Sequence, residues 1–339
     1  MIYEDTEPSP NSPPDENPEK FQPSSSSNEE SEPPSQSFLP VYRVKMKYHS
    51  LPLLIAIIIS GVISWYIHDI IAFETVIPEN TPTQGLINGL IYTVFAVISS
   101  IIIYFLVKKK GQNILKIIMT VAFIFLTFTL VLFFGILIIP NLESSALFYY
   151  LYMVFCAVLA LSLTYLYFSG KLSKISKNIY VLAIGTLIGA FMGIALPTWT
   201  SLVLLIGVSV WDFISVKRGP IKGIMEIMGH VDYDAVKNLT NDEFYQAEIQ
   251  IGIGDVAFYS MLTSGCFILC RELHVSIINS LIVTMMAAGG IILGAFITIR
   301  ALRKNALLPG LPLSIFFGIV FAFLTWLVQL YIEIFKYAC

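Results

Sequence analysis

The sequence predicts an all-α polytopic membrane protein of nine transmembrane helices, with the N-terminus inside and the C-terminus outside. Three observations predict it. Of the 339 residues, 56% are hydrophobic and only 13% are charged, with a mean hydropathy of +0.77, which is the composition of a chain embedded in lipid. From about residue 50 onward, apolar runs recur at lengths near the ~20 residues that cross ~30 Å of hydrocarbon. The positive charge is also zoned. With the N-terminus inside, 18 of the 20 Lys and Arg residues fall on the inner side, and only Arg271 and Lys336 fall outside. Positive residues in short loops are retained in the cytoplasm, so the asymmetry sets the orientation and supports an odd number of spans.

In chain order, residues 1–44 read as a disordered, acidic, Pro/Ser-rich cytoplasmic tail. Tyr3, Phe21 and Phe38 are the only aromatics before residue 42, too little apolar surface to offset chain entropy. The tail lacks the basic start and apolar core of a secretory signal, so the first membrane helix is expected to direct its own insertion. A membrane domain then occupies 45–339, with spans expected near 51–70, 86–107, 114–138, 146–168, 178–196, 198–216, 252–270, 277–299 and 312–334. Pro78 and Pro82, Lys108-Lys109-Lys110-Gly111, Pro140, Gly170-Lys171, Pro197, Gly219-Pro220 and Pro309 mark the joints. Residues 217–250 form the longest inner loop. Ile221, Ile224, Met225 and Met228 recur there at helical spacing, which suggests a short interfacial helix, followed by an acidic stretch.

Two carboxylic acids lie well inside apolar runs: Asp212 in Ser209-Val210-Trp211-Asp212-Phe213, and Asp255 in Ile251-Gly252-Ile253-Gly254-Asp255. An ionised side chain at that depth costs at least ~2.5 kcal/mol, so an intramembrane Asp marks a site and needs a partner. Asp212 lies five residues before Lys217, where its span leaves the inner face, and Asp255 lies seven residues after Glu248, where the next span enters. At a rise of 1.5 Å per residue the two sit roughly 7 and 10 Å from the same face. Antiparallel neighbouring helices therefore bring both carboxyls to one depth. Two such acids close together do not ionise independently, so one holds a proton while the other is charged. That division suits attack on a carbonyl: the ionised Asp takes a proton from water and the protonated one polarises the carbonyl. A proton relay in a transporter or channel uses the same pair and is the alternative.

The residues around both acids carry a resemblance. Val208-Ser209-Val210-Trp211-Asp212-Phe213-Ile214-Ser215 resembles the first catalytic motif of presenilins, and Gly252-Ile253-Gly254-Asp255 with Phe258-Tyr259-Ser260 is similar to their second, the GxGD motif. Leu308-Pro309-Gly310-Leu311-Pro312-Leu313 resembles the Pro-Ala-Leu-Pro stretch that opens the last presenilin helix. Within the presenilin and signal peptide peptidase superfamily, motif order and span placement resemble a nine-helix, N-inside presenilin, closest to a microbial, archaeal-type homologue, whereas signal peptide peptidases share the motifs but face the opposite way. The resemblance implies an intramembrane aspartyl endopeptidase with Asp212 and Asp255 as catalytic residues. It also places Trp211, Gly252, Gly254, Pro309, Gly310, Leu311 and Pro312 around the substrate. Two positions depart from the family pattern: Trp211 replaces a Tyr and so loses an accepting phenol, and Gly310 replaces an Ala.

The glycines before Asp255 allow a loosened helix start and close backbone approach; plain helix packing is the competing explanation. Pro309 and Pro312 remove two backbone donors, leaving backbone groups expected to pair with an extended substrate. Presenilins carry a longer, self-cleaved loop where this chain has 217–250, and without a long apolar segment there, self-cleavage is not expected. Gly185, Gly189 and Gly193, and Gly290 with Gly294, read as close-packing positions. Asp69 is expected to be wetted at the outer interface. Cys156, Cys266, Cys270 and Cys339 are scattered and none sits with a His at ligand spacing, so neither metal nor other cofactor is expected. There is no His-Glu-x-x-His of a zinc protease. The expected partners are transmembrane-helix substrates and the lipid bilayer, with accessory subunits or a homo-oligomer open and no nucleic acid. The location follows as a multi-pass protein of the cell membrane in a prokaryote or of endomembranes in a eukaryote.

Overall fold

A computed structural model describes residues 41–45, 50–70, 81–139, 145–219, 248–302 and 309–338. In chain order the elements are a short strand β1 (Val41–Lys45), then α1 (Ser50–Trp65), which continues as a π-helical turn to Ile70, α2 (Pro82–Lys110), α3 (Gln112–Ile138), α4 (Ala146–Phe168), α5 (Lys174–Ala195) and α6 (Thr198–Arg218). A second strand, β2 (Glu248–Gly252), runs straight into α7 (Ile253–Glu272), followed by α8 (Ile277–Leu302) and α9 (Leu311–Ala338). Among the described residues nine helices are long and apolar enough to cross a membrane. The protein is a multi-pass integral membrane protein with the predicted spans.

Local chemistry sets the helix ends. Thr81 caps α2 by accepting from the Gln84 N–H at 3.3 Å, with Pro82 at the first helical position, where its missing donor costs nothing. At the other end Lys108, Lys109 and Lys110 face the negative pole of the helix, and Gly111 turns the chain at φ 73°. Ser173 caps α5 through the Ser176 N–H. Pro197 makes the expected tight joint between α5 and α6.

Helix α7 is the hub. It packs against α1, α5, α6, α8 and α9, with its closest partner α5. Lipid tails are as apolar as leucine, so burial alone gives little drive to helix association in the bilayer, and small residues and interhelical hydrogen bonds take over. A Cβ on Gly189 would collide with the Ala257 carbonyl and the Ser260 side chain, and one on Gly193 with Ser264. These glycines let the α5 and α7 backbones touch. The same two serines of α7 also meet α1: Ser60 donates to the Ser260 carbonyl at 2.8 Å and Ser64 shares a hydrogen bond with Ser264. Gly290 and Gly294 bring α8 against the backbone of α9 in the same way. Helices α2 and α4 expose long apolar faces, Phe95, Phe105, Phe148 and Phe155 among them, as expected for lipid contact.

Some expectations change. Asp69 is not simply wetted. Its Oδ1 accepts from Arg271 Nε at 3.0 Å and pairs with His68 Nδ1 at 2.8 Å, with the Asp69 side chain only 13% exposed. Arg271 also donates to the Val275 carbonyl at 2.7 Å, so the ion pair ties the far end of α7 to α1. A lone carboxyl at a span end gives no hint of a partner 202 residues away. The stretch assigned to the tail up to residue 44 also contains strand β1, which starts at Val41. The expected interfacial helix near Ile221–Met228 and the question of self-cleavage lie outside the described residues.

Candidate active site

Asp212 sits on α6, six residues before that helix ends at Arg218, and Asp255 sits in the first turn of α7. The end of α6 and the start of α7 lie on one side of the bundle, because the chain leaves by one and returns by the other. The two helices pack against each other. Both acids are half-buried, and the charge of Asp212 bears on Asp255.

The start of α9 completes the arrangement. The Leu311 N–H donates to Asp212 Oδ2 at 3.3 Å. A Cβ built on Gly310 would stand 3.1 Å from Asp255 Oδ2, so the Gly310 backbone lies directly against the second carboxyl. One dipeptide, Gly310-Leu311, therefore touches both acids. Pro309 is buried behind it, and Leu311 is 5% exposed. Pro312 falls in the first turn of α9, where helix geometry tolerates a missing donor. Two backbone groups expected to await a substrate thus have partners within the protein: the Leu311 N–H on Asp212, and the Gly310 carbonyl, which accepts from the Tyr259 hydroxyl at 3.1 Å and from Ser314 Oγ at 3.3 Å.

The remaining predicted residues divide. A Cβ on Gly252 would meet nothing nearer than Asp255 Oδ2 at 3.8 Å, and one on Gly254 nothing nearer than Phe258 at 4.0 Å. Among the described residues neither glycine is a helix-packing contact, and both leave open space beside Asp255. Trp211 is half-buried on α6 next to Asp212, about 100° around the helix from it. Among the described residues no group of three or more His, Cys, Asp or Glu side chains lies together.

Comparison with known proteins bears on the whole arrangement. No family model matches the chain. Presenilin-B of Dictyostelium discoideum is 32% identical over 136 residues, which is 38% of this chain and 26% of that protein. The match thus spans about a quarter of that relative's length. A presenilin family intramembrane aspartate protease solved in space group C222 superposes with a TM-score of 0.54 at 19% identity, covering 84% of this chain and all of that one. The chain has the presenilin-family fold. A structure of a presenilin family intramembrane aspartate protease in space group P2 agrees, with a TM-score of 0.51, 17% identity and coverage of 84% and 96%.

Within this presenilin fold, two residues join the site that sequence reasoning had not assigned to it. Tyr259 lies four residues after Asp255, hence on the same face of α7, and is 4% exposed. Its hydroxyl donates to the Gly310 carbonyl and lies 3.2 Å from Ser314 Oγ. Ser314 is fully buried three residues after Leu311. The spacing from Asp255 was a usable signal for Tyr259. Ser314 falls within the stretch that resembles the opening of the last presenilin helix, but nothing singled it out, since a serine in the first turn of a membrane helix is unremarkable until the fold turns it inward.

Proposed function

We propose that the protein is an intramembrane aspartyl endopeptidase that hydrolyses peptide bonds within or near transmembrane helices of other membrane proteins. One observation carries the proposal: two acids from separate helices meet on the single Gly310-Leu311 dipeptide, with Leu311 N–H on Asp212 Oδ2 at 3.3 Å and Gly310 against Asp255. The fold shared with presenilin family intramembrane aspartate proteases supports it.

In the proposed reaction one Asp, ionised, takes a proton from a water as the water oxygen attacks the scissile carbonyl carbon. The other, protonated, donates to the carbonyl oxygen as negative charge develops there. Collapse of the tetrahedral intermediate breaks the C–N bond, and the amine leaves with a proton passed back from the pair. The two carboxyls meet different backbone: Asp212 accepts from the Leu311 N–H, and Asp255 lies against Gly310. Open space beside Gly252 and Gly254 gives an extended peptide room to approach Asp255. Pro309, Gly310, Leu311 and Pro312 form the wall against which such a peptide lies, and Trp211 flanks it. The charge zoning of the sequence supports a site towards the inner face, with the N-terminus inside and the C-terminus outside. Accessory subunits and homo-oligomers are compatible with the lipid-facing helices. A proton relay is less favoured, because a relay has no use for a backbone wall pressed on both acids.

The test is to incubate detergent-solubilised protein with a single-span peptide and look for new termini by mass spectrometry. Asp212→Asn and Asp255→Asn are each expected to abolish cleavage while the protein keeps its helical content. Near-normal turnover by either variant would overturn the two-acid reading.

A further inference from the structure

Strand β1 pairs antiparallel with β2, with Val41 opposite Gly252, Tyr42 opposite Ile251 and Lys45 opposite Glu248. These partners are some two hundred residues apart in the chain. β2 is not a remote hairpin: its last residue, Gly252, caps α7, and Asp255 follows three residues later. The antiparallel register therefore puts the first residue of β1 beside the start of the Asp255 helix and directs the rest of the strand away from it.

A peptide bond in a helix has its carbonyl hydrogen-bonded and its faces covered by side chains. A substrate helix must be drawn out before water can reach the bond, and in the membrane every backbone group freed in doing so needs a new partner. A strand edge beside the acids supplies such partners. Among the described residues, β2 is the strand that leads to Asp255, and its partner is the protein's own segment.

That segment is seated. Tyr42 is half-buried and packs against two buried clusters, one around Ile251 and Val256 and the other around Ile67 and Tyr180. Burial pushes the Tyr42 phenol up from its ordinary value. β1 also lies against α5.

We propose that Val41–Lys45 is a tethered strand that competes with substrate for the edge of β2, so that cleavage requires its displacement. The proposal rests on the proteolytic reading of Asp212 and Asp255. A substrate then binds only the fraction of molecules in which β1 is released, and its apparent affinity falls by that fraction. A strand seated nine-tenths of the time raises the apparent KM about tenfold.

Two full-length variants test this with the single-span peptide in detergent. Val44→Cys with Ile249→Cys places thiols at opposed positions of the ladder. Mild oxidation, with Cys339→Ser as background, is expected to pin β1 and lower cleavage at least tenfold, and dithiothreitol is expected to restore it; Cys156, Cys266 and Cys270 are buried. Arg43→Pro with Val44→Pro removes one donor from each of the two alternating hydrogen-bonding sets, whichever faces β2. It is expected to lower KM several-fold with kcat unchanged, and a free peptide of residues 39–47 should then inhibit it competitively. If the oxidised pair cleaves as fast as the reduced one, or if the proline variant loses activity and the free peptide restores it, β1 is a structural prop and the proposal falls while the protease reading stands. Cleavage absent from wild type and every variant overturns both.

Discussion

Removing one oxygen atom, in Tyr259→Phe, tests whether the backbone at the start of α9 is held in place for catalysis. The hydroxyl donates to the Gly310 carbonyl at 3.1 Å, and that residue's neighbour, Leu311, donates to Asp212 Oδ2. Phe keeps the ring, which is 4% exposed, so packing is preserved and only the donor is lost. The Gly310 carbonyl would then keep Ser314 Oγ, at 3.3 Å, as its donor. One buried neutral hydrogen bond contributes about 1 kcal/mol net. If that holds the Leu311 N–H on Asp212 in the transition state, kcat falls about fivefold, since each 1.36 kcal/mol is tenfold in rate. Adding Ser314→Ala leaves the carbonyl with no donor from either side chain. The double variant should then lose more than the product of the two single effects, because an unsatisfied buried carbonyl costs about 1–3 kcal/mol. The assay is kcat and KM measured separately on the single-span peptide, with the thermal midpoint as a control for folding. Unchanged kcat in Tyr259→Phe, or a loss confined to the thermal midpoint, would refute the reasoning.

Cleavage should follow a bell-shaped pH profile, because the pair works with one proton between its two carboxyls. Activity is lost on the acid side as the second proton binds and on the alkaline side as the last one leaves; a flat profile from pH 4 to 9 would count against it. Arg271→Ala leaves Asp69 paired with His68 alone at the far end of α1 and α7, and should cost about 1–2 kcal/mol, read as a lowered thermal midpoint with KM unchanged, because the pair is remote from Asp212 and Asp255. A midpoint equal to wild type would show that the pair is too well hydrated to matter.

Several features were legible in the sequence because each depends on local composition. The nine spans follow from apolar length, since the hydrocarbon thickness dictates how many residues a crossing helix needs. Asp212 and Asp255 stood out because an acid in lipid is costly, and helix rise alone brought them to one depth. Close packing at Gly185, Gly189 and Gly193 was likewise readable from their spacing of four, though not that α7 is the partner. Only the tertiary structure decided the rest. The Gly310-Leu311 backbone reaches both acids because α9 packs beside α6 and α7, and no local pattern encodes that contact. The backbone groups freed near Pro309 and Pro312 were expected to await a substrate. The fold satisfies two of them with Asp212 and Tyr259, since an unpaired group at membrane depth is too costly to leave open. The pairing of Arg271 with Asp69 and of Val41–Lys45 with Glu248–Gly252 joins residues some two hundred positions apart. Such contacts depend on where helices cross, which a run of hydropathy does not specify.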